Sequence, residues 1–318
     1  MKKLYSLVLL SASLLSLNST KAQEAENNSV TYSVMYNQVN KDCNFPLIGF
    51  VNIAKKNQTG LQLGFINHTV RSQVGAQIGF NNTVTKNLAG AQVGFINIAA
   101  QTDGAQVGFI NTSAGDLEGS QVGFINTAKN SNGVQVGFFN LSKKMTGSQI
   151  GFINIVDTIE NGIPLGFISF VKNGGYKAIE VSSNEIFPVN ITLKFGIPKI
   201  YTFVQAGYNG DYSKEYALGA GLGTLIKAGN KFYINPEAYT TSSIRKDNYQ
   251  GVSLSTTLRY SANKNIQFAV GPSISLMRNL ESKDCNTPIL ALADRIYDDK
   301  NWLIFGIKTA VSFGSVIK

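Results

Sequence analysis

The chain has 318 residues, of which 43% are hydrophobic and only 15% charged, and it carries a formal net charge of +9. With two cysteines and a single histidine, His68, no histidine triad or histidine-based metal cluster can be assembled within one chain, so enzymes and cofactor carriers of those kinds are excluded. Basic residues are scattered rather than clustered, which leaves no footprint for nucleic acid.

Residues 1–22 read as an export signal, with Lys2 and Lys3 ahead of an apolar stretch from Leu7 to Leu17 and a small-residue site at Lys21-Ala22-Gln23. That stretch is too short to span a bilayer as a helix. Its removal takes three lysines and lowers the formal charge from +9 to +6. No cysteine follows the cleavage point, so a lipid anchor is not expected. No later segment could serve as a transmembrane helix, which leaves a secreted protein or an outer-membrane β-barrel. Within the N-terminal segment 23–44, Val30, Tyr32, Val34 and Tyr36 alternate with Thr31, Ser33, Met35 and Asn37, marking 30–39 as a candidate first barrel strand.

Residues 45–170 repeat one phrase, clearest in Gly90-Ala91-Gln92-Val93-Gly94-Phe95-Ile96-Asn97. Its Gly-Phe pair recurs nine times, from Gly49-Phe50 to Gly166-Phe167, at steps of 14 or 15 residues. A period of that size marks a repeat architecture. The stretches between units do not alternate in length, as an antiparallel meander would require, so the units read as equivalent coils of a β-solenoid. Glutamine fills one slot at Gln62, Gln77, Gln92, Gln106, Gln121, Gln135 and Gln149. Asparagine fills another at Asn52, Asn67, Asn82, Asn97, Asn111, Asn126, Asn140 and Asn154. Both sets are expected to stack coil on coil as amide ladders, while the valines, isoleucines and phenylalanines stack inward as apolar ladders. The leading glycines suit corners with positive φ. Phe45-Pro46 at one end, and Pro164 and Ser169 at the other, mark capping units, and His68 is expected in a repeat turn.

In residues 171–318 the pattern becomes strict alternation, as in Phe187-Val189-Ile191-Leu193-Phe195 and Leu303-Phe305-Ile307-Thr309-Val311-Phe313. Seven such strands, joined alternately by short and long connections, with Tyr216, Tyr260, Trp302 and Phe313 near their ends, predict an antiparallel outer-membrane-type barrel. A soluble sandwich is the competing reading. An even strand count needs an eighth member, either 30–39 or 176–183. The first choice puts the solenoid outside the cell and the second puts it in the periplasm. Cys43 and Cys285 lie in matching settings, Lys-Asp-Cys-Asn, and an even pair in an exported chain predicts a disulfide. That bridge favours 30–39, since it would join the first and last strands. Lys194, Lys227, Lys231, Glu237, Arg259 and Lys308 are expected to share the lumen, filling it rather than lining a pore.

The Gly-x-Gln-Val-Gly-Phe-Ile-Asn units resemble the surface-repeat proteins of leptospiral and Bacteroidetes-type bacteria. The segment from Gly162 through Asn173 to Phe187 is similar to the exit from the repeats in the Bacteroidetes members. The resemblance implies an exported protein without assigned chemistry. The sequence therefore predicts an all-β, non-enzymatic outer-membrane protein without cofactor. Its solenoid is expected at the cell surface in a structural or adhesive role, against membrane lipid and an unidentified extracellular or periplasmic partner. The alternative is a transport channel in which the repeats are themselves barrel strands.

Overall fold

The computed structural model describes residues 30–209, 215–244, 249–279, 291–296 and 301–315. The expected export signal at 1–22 and Cys285 lie outside the described residues. The chain forms a β-solenoid followed by a closed antiparallel barrel of eight strands.

Every repeat pairs parallel and in register with the next, as in Gln92 with Gln106 and Asn97 with Asn111. This excludes the wide barrel in which repeats would be antiparallel strands. Where a coil of 15 residues meets one of 14, the extra residue is absorbed as a register shift, between Val84 and Asn87 and again between Ser113 and Asp116. Both shifts fall half a coil away from the Gly-Phe corner, so the amide slots never lose register.

The inside and outside of the solenoid are the reverse of the expectation. All the ladder glutamines and asparagines are fully buried, while the phenylalanines of the Gly-Phe pairs stay 38–51% exposed. The adjoining aliphatics, such as Val93, Val107 and Ile150, are exposed too. Period-two alternation puts Asn97 on the face of Val93 and Phe95, opposite Gln92. The chain instead turns a corner at Gly94-Phe95, which breaks the alternation and lets Gln92 and Asn97 both face inward. A typical coil then has only four inward positions, here Gln92, Asn97, Ala99 and Thr102, all within 1% of complete burial. A coil this small has no space for a phenylalanine inside.

The corner glycine follows from the same geometry. A Cβ on Gly94 would overlap the carbonyl oxygen of Gly79 and the amide of Asn82 in the coil before it. The leading glycines at 60, 75, 90 and 104 have φ between 115° and 142°, a region open to glycine.

The solenoid begins before Phe45. Tyr36–Val39 pairs parallel with Val51–Ala54, so Asn37 heads the asparagine ladder and Val39, Cys43 and Leu47 face the interior. Residues 30–39 are therefore not a barrel strand.

The barrel strands are β1 (Tyr176–Ser183), β2 (Val189–Ile197), β3 (Ile200–Asn209), β4 (Glu215–Gly223), β5 (Phe232–Ser243), β6 (Tyr249–Ser261), β7 (Ile266–Asn279) and β8 (Asn301–Ser315). β1 pairs with both β2 and β8, so the segment 176–183 closes the barrel. Above the end of β1, Ala291–Ile296 continues the pairing on β8. The short connections, such as Pro198-Lys199 and 262–265, lie at one end, together with the junction to the solenoid at Gly174-Gly175.

The last coil rests on the outer wall of the β2–β3 hairpin. Phe170 meets Phe195 edge-on at 5.1 Å, and the Thr202 hydroxyl donates to the Phe167 carbonyl at 3.0 Å. Met145, Val156 and Val171 pack against Ile197 and Ile200. The barrel wall thus covers the open sheet edge that the capping unit with Pro164 and Ser169 was expected to blunt.

Candidate functional site: a filled lumen and an amide-cored rod

In the solenoid, each glutamine amide from Gln77 onward donates to the side-chain carbonyl of the glutamine before it at 2.7 Å, through to Gln149. Asparagines run the other way: Asn37 donates to Asn52, and the series continues to Asn140 and Asn154 at 2.7–2.9 Å. The two ladders polarise in opposite directions, so their dipoles offset. The second proton of most ladder amides reaches a backbone carbonyl, as Asn97 does to Val107 at 2.9 Å and Gln106 to Thr112 at 3.2 Å. A buried polar interior is tolerable because nearly every donor and acceptor is matched.

The ladders stop where their chemistry stops. Pro164 occupies the next glutamine slot and has no amide to give, so Gln149 Oε1 is left without a partner. Asn154 ends on the Ser169 hydroxyl at 3.2 Å, which donates onward to the Pro164 carbonyl. At the other end Leu47 fills the slot before Gln62, whose amide turns to Thr69 Oγ1 at 3.1 Å.

His68 lies within the strand Ile66–Thr69, not in a turn, on the outward side. Burial, with a smaller contribution from Lys55, lowers its pKa below the ordinary 6.5. Cys43 is free and fully inside the first coil, its thiol donating to the Phe45 carbonyl at 3.4 Å and its pKa raised by burial. It occupies an inward slot above Gln58, and the strand that would have set it beside the last barrel strand belongs to the solenoid. The neighbour argument for a Cys43–Cys285 bridge therefore falls.

In the barrel, Lys194, Glu237, Arg259 and Lys308 converge on one buried network, joined by Glu180 from β1. Lys194 reaches Glu180 at 2.7 Å and also contacts Glu237, while Lys308 reaches Glu237 at 2.6 Å. The Arg259 guanidinium binds Glu180, and donates to Ser312 at 2.7 Å and to Asn235. Two carboxylates hold three cations, with Tyr201 donating to Glu237 at 2.6 Å. Lys227 and Lys231 are not in the lumen. Both are exposed at the short-turn end, where Lys231 lies 6.0 Å from the Tyr260 ring.

Glu180 is not among the lumen charges expected from sequence, because the paired cysteines favour 30–39 over 176–183 as the eighth strand. The signal was present, since Ile179 and Val181 flank it on the apolar face. Glu185 was missed as well. The connection 184–188 folds into the long-loop mouth, where Glu185 accepts from Ser273 and Ser275, and Phe187 packs with Met277 and Ile304. At the short-turn end Tyr176, Tyr201, Leu225 and Tyr233 close the interior. The lumen is filled along its length by described side chains.

The outer wall is the converse. Ile179, Val181, Ile191, Leu218, Leu254 and Val270 are among the residues it exposes, each by 45% or more. Aromatic residues gather at both ends, Tyr208 with Tyr216 at the long-loop end and Phe232 with Tyr260 at the short-turn end. No helix among the described residues is long and apolar enough to cross a membrane, which says nothing of strands. No group of His, Cys, Asp and Glu among them is disposed to hold a metal. Neither a family model, nor a curated protein, nor a solved structure matches the chain.

Proposed function

We propose that this is a non-enzymatic outer-membrane protein whose barrel is a membrane anchor and whose solenoid is a rigid scaffold for interaction. The observation that carries this reading is the barrel's polarity: charges and amides inside, apolar side chains outside, aromatics at both rims. A soluble barrel has the opposite arrangement, because its outer wall must face water. On β6 the outward residues run from Val252 to Tyr260. At about 3.3 Å per residue and a tilt near 40°, that span covers roughly 20 Å of membrane, close to the ~25 Å apolar band of such barrels. The packed lumen argues for anchoring over conduction.

The short-turn end of such barrels faces the periplasm. The solenoid joins at that end, which favours the periplasm for it over the surface display expected from sequence. In its arcs Ala54–Thr59 and Ser142–Thr146 the exposed side chains, Lys55, Asn57, Thr59, Lys143 and Lys144, are then the variable surface offered to a periplasmic partner.

The test uses a variant with Cys43→Ala and Cys285→Ser, carrying one new cysteine at a time. Ile244→Cys, at the long-loop end, is expected to react with a membrane-impermeant maleimide in intact cells. Lys129→Cys, in the solenoid, is expected to react only after the outer membrane is opened. Labelling of Lys129→Cys in intact cells would return the solenoid to the surface, and equal recovery of the chain in the soluble fraction would end the membrane reading.

A further inference from the structure

The apolar ridge on the solenoid is not explained by anchoring through the barrel. Eight successive ring pairs from Phe50 to Phe167 stack at 4.8–5.1 Å, and exposed aliphatics such as Val107 and Val122 run beside them. At about 4.8 Å per coil the ridge is roughly 40 Å long, a contiguous apolar surface of a kind that soluble monomers rarely leave bare. The charges lie half a coil away. Lys55, Arg71, Lys86, Lys129 and Lys144 are all exposed on the arc opposite the Gly-Phe corner.

The position of the last coil decides what covers the ridge. That coil packs on the side of the barrel, against the outward residues Phe195, Ile200 and Thr202, not across its open end. Phe167, the final ring of the ladder, opens onto a shallow groove of the barrel's outer wall lined by Val204, Leu218, Ala220, Val252 and Leu276, with Thr240, Gln250 and Arg278 among its polar lining. The ring ladder therefore leads directly onto the barrel wall, beside its apolar residues Val204, Leu218 and Ala220. Whatever solvates the wall at Val204 and Leu218 also reaches Phe167.

We infer that the Phe/Val ridge is a second membrane-binding element, with the solenoid lying against the periplasmic leaflet and its ring ladder in the acyl region. This rests on the barrel being membrane-embedded. A second copy seated on the ridge is the rival occupant, but at Phe167 it would have to displace lipid from the barrel wall as well. The charged arc, with Lys55, Arg71, Lys86 and Lys129, then points away from the bilayer toward the periplasm.

Tryptophan fluorescence tests the inference in the full chain. Trp302→Phe removes the chain's single tryptophan, and Phe109→Trp, Phe80→Trp, Leu254→Trp or Lys129→Trp then adds one probe at a time. Each protein is reconstituted into phosphatidylcholine vesicles carrying bromine on the acyl chains. Phe109→Trp and Phe80→Trp should show blue-shifted emission and lose intensity to bromine about as strongly as Leu254→Trp on the barrel wall. Lys129→Trp should lose none.

Quenching at Leu254→Trp with none at either ladder position would overturn the inference and leave the barrel reading intact. No quenching at Leu254→Trp would overturn both. Blue-shifted but bromine-insensitive ladder probes, with cross-linked dimers, would give the ridge to a second copy and equally overturn lipid docking. Two ladder positions keep the result interpretable if one substitution prevents folding.

Discussion

Solenoid and barrel both turn polar side chains inward and apolar ones outward, but they satisfy their interiors in different ways. The solenoid repeats a neutral pair, glutamine on glutamine and asparagine on asparagine, so each coil depends only on the coils above and below. The barrel gathers five unlike charged groups from five strands, Glu180, Lys194, Glu237, Arg259 and Lys308, into one network without a second copy. The difference teaches where each half is vulnerable. A defect in the rod should stay local, and a defect in the lumen should be felt by the whole barrel.

The largest effect is expected in the lumen. Glu237→Ala removes the carboxylate shared by Lys194 and Lys308 and leaves both cations short of compensation. Breaking a buried ion pair in this way costs about 3–5 kcal/mol. In detergent micelles the barrel should lose its heat-resistant compact gel mobility at a markedly lower temperature. An unchanged transition would mean that the network is not what holds the barrel.

Next come the middle coils. Gln106→Leu strips the donor from Gln92 and the acceptor from Gln121, orphaning buried groups at a cost of about 2–3 kcal/mol. Hydrogen exchange should rise in the flanking coils while barrel amides stay protected. Equal loosening of both halves would erase the contrast. A smaller change is expected from Gln149→Leu, about 1 kcal/mol, because Gln149 Oε1 already lacks a partner and only the amide's bonds to Gln135 and to the Ser142 hydroxyl are lost. The same exchange measurement should rank it below Gln106→Leu.

The smallest effect is that of pH on the rod. His68 has its pKa lowered by burial, so the unfolded chain takes up the proton first as pH falls below the ordinary 6.5. The contribution of neutral His68 is present above that value and is lost as pH drops through the folded pKa. Thr83 occupies the equivalent slot in the next coil, so His68→Thr should flatten this slope, by less than about 1 kcal/mol, in chemical unfolding of the solenoid between pH 7 and 5.

Much of this architecture was legible from spacing alone. The 14- and 15-residue period announced coils, the equal connections ruled out a meander, and the alternation after residue 171 announced the barrel. Periodicity could not say which face was inside. Glutamine and asparagine sit five residues apart, on opposite faces of an unbroken strand, and only the corner at Gly-Phe brings them together. Hydrophobicity alone would bury the phenylalanines, and it fails as a guide where identical amides can satisfy one another. The same limit hid the closure. Residues 30–39 alternate as cleanly as 176–183, yet Asn37 belongs to a ladder and Glu180 to the lumen, which only partners in space reveal. Of the expected lumen charges, Lys227 and Lys231 fell outside because they lie beyond the ends of the longer strands, where alternation no longer dictates direction.

The inward amide is the claim on which both the rod and its apolar ridge depend, and side-chain exchange reads it directly. With selectively labelled glutamine, the side-chain amide protons of Gln77, Gln92, Gln106, Gln121 and Gln135 should exchange far more slowly than those of an exposed amide, and Gln106→Leu should release protection at Gln121 in particular. Exchange of all five at the rate of free glutamine would place the amides in water and contradict the account.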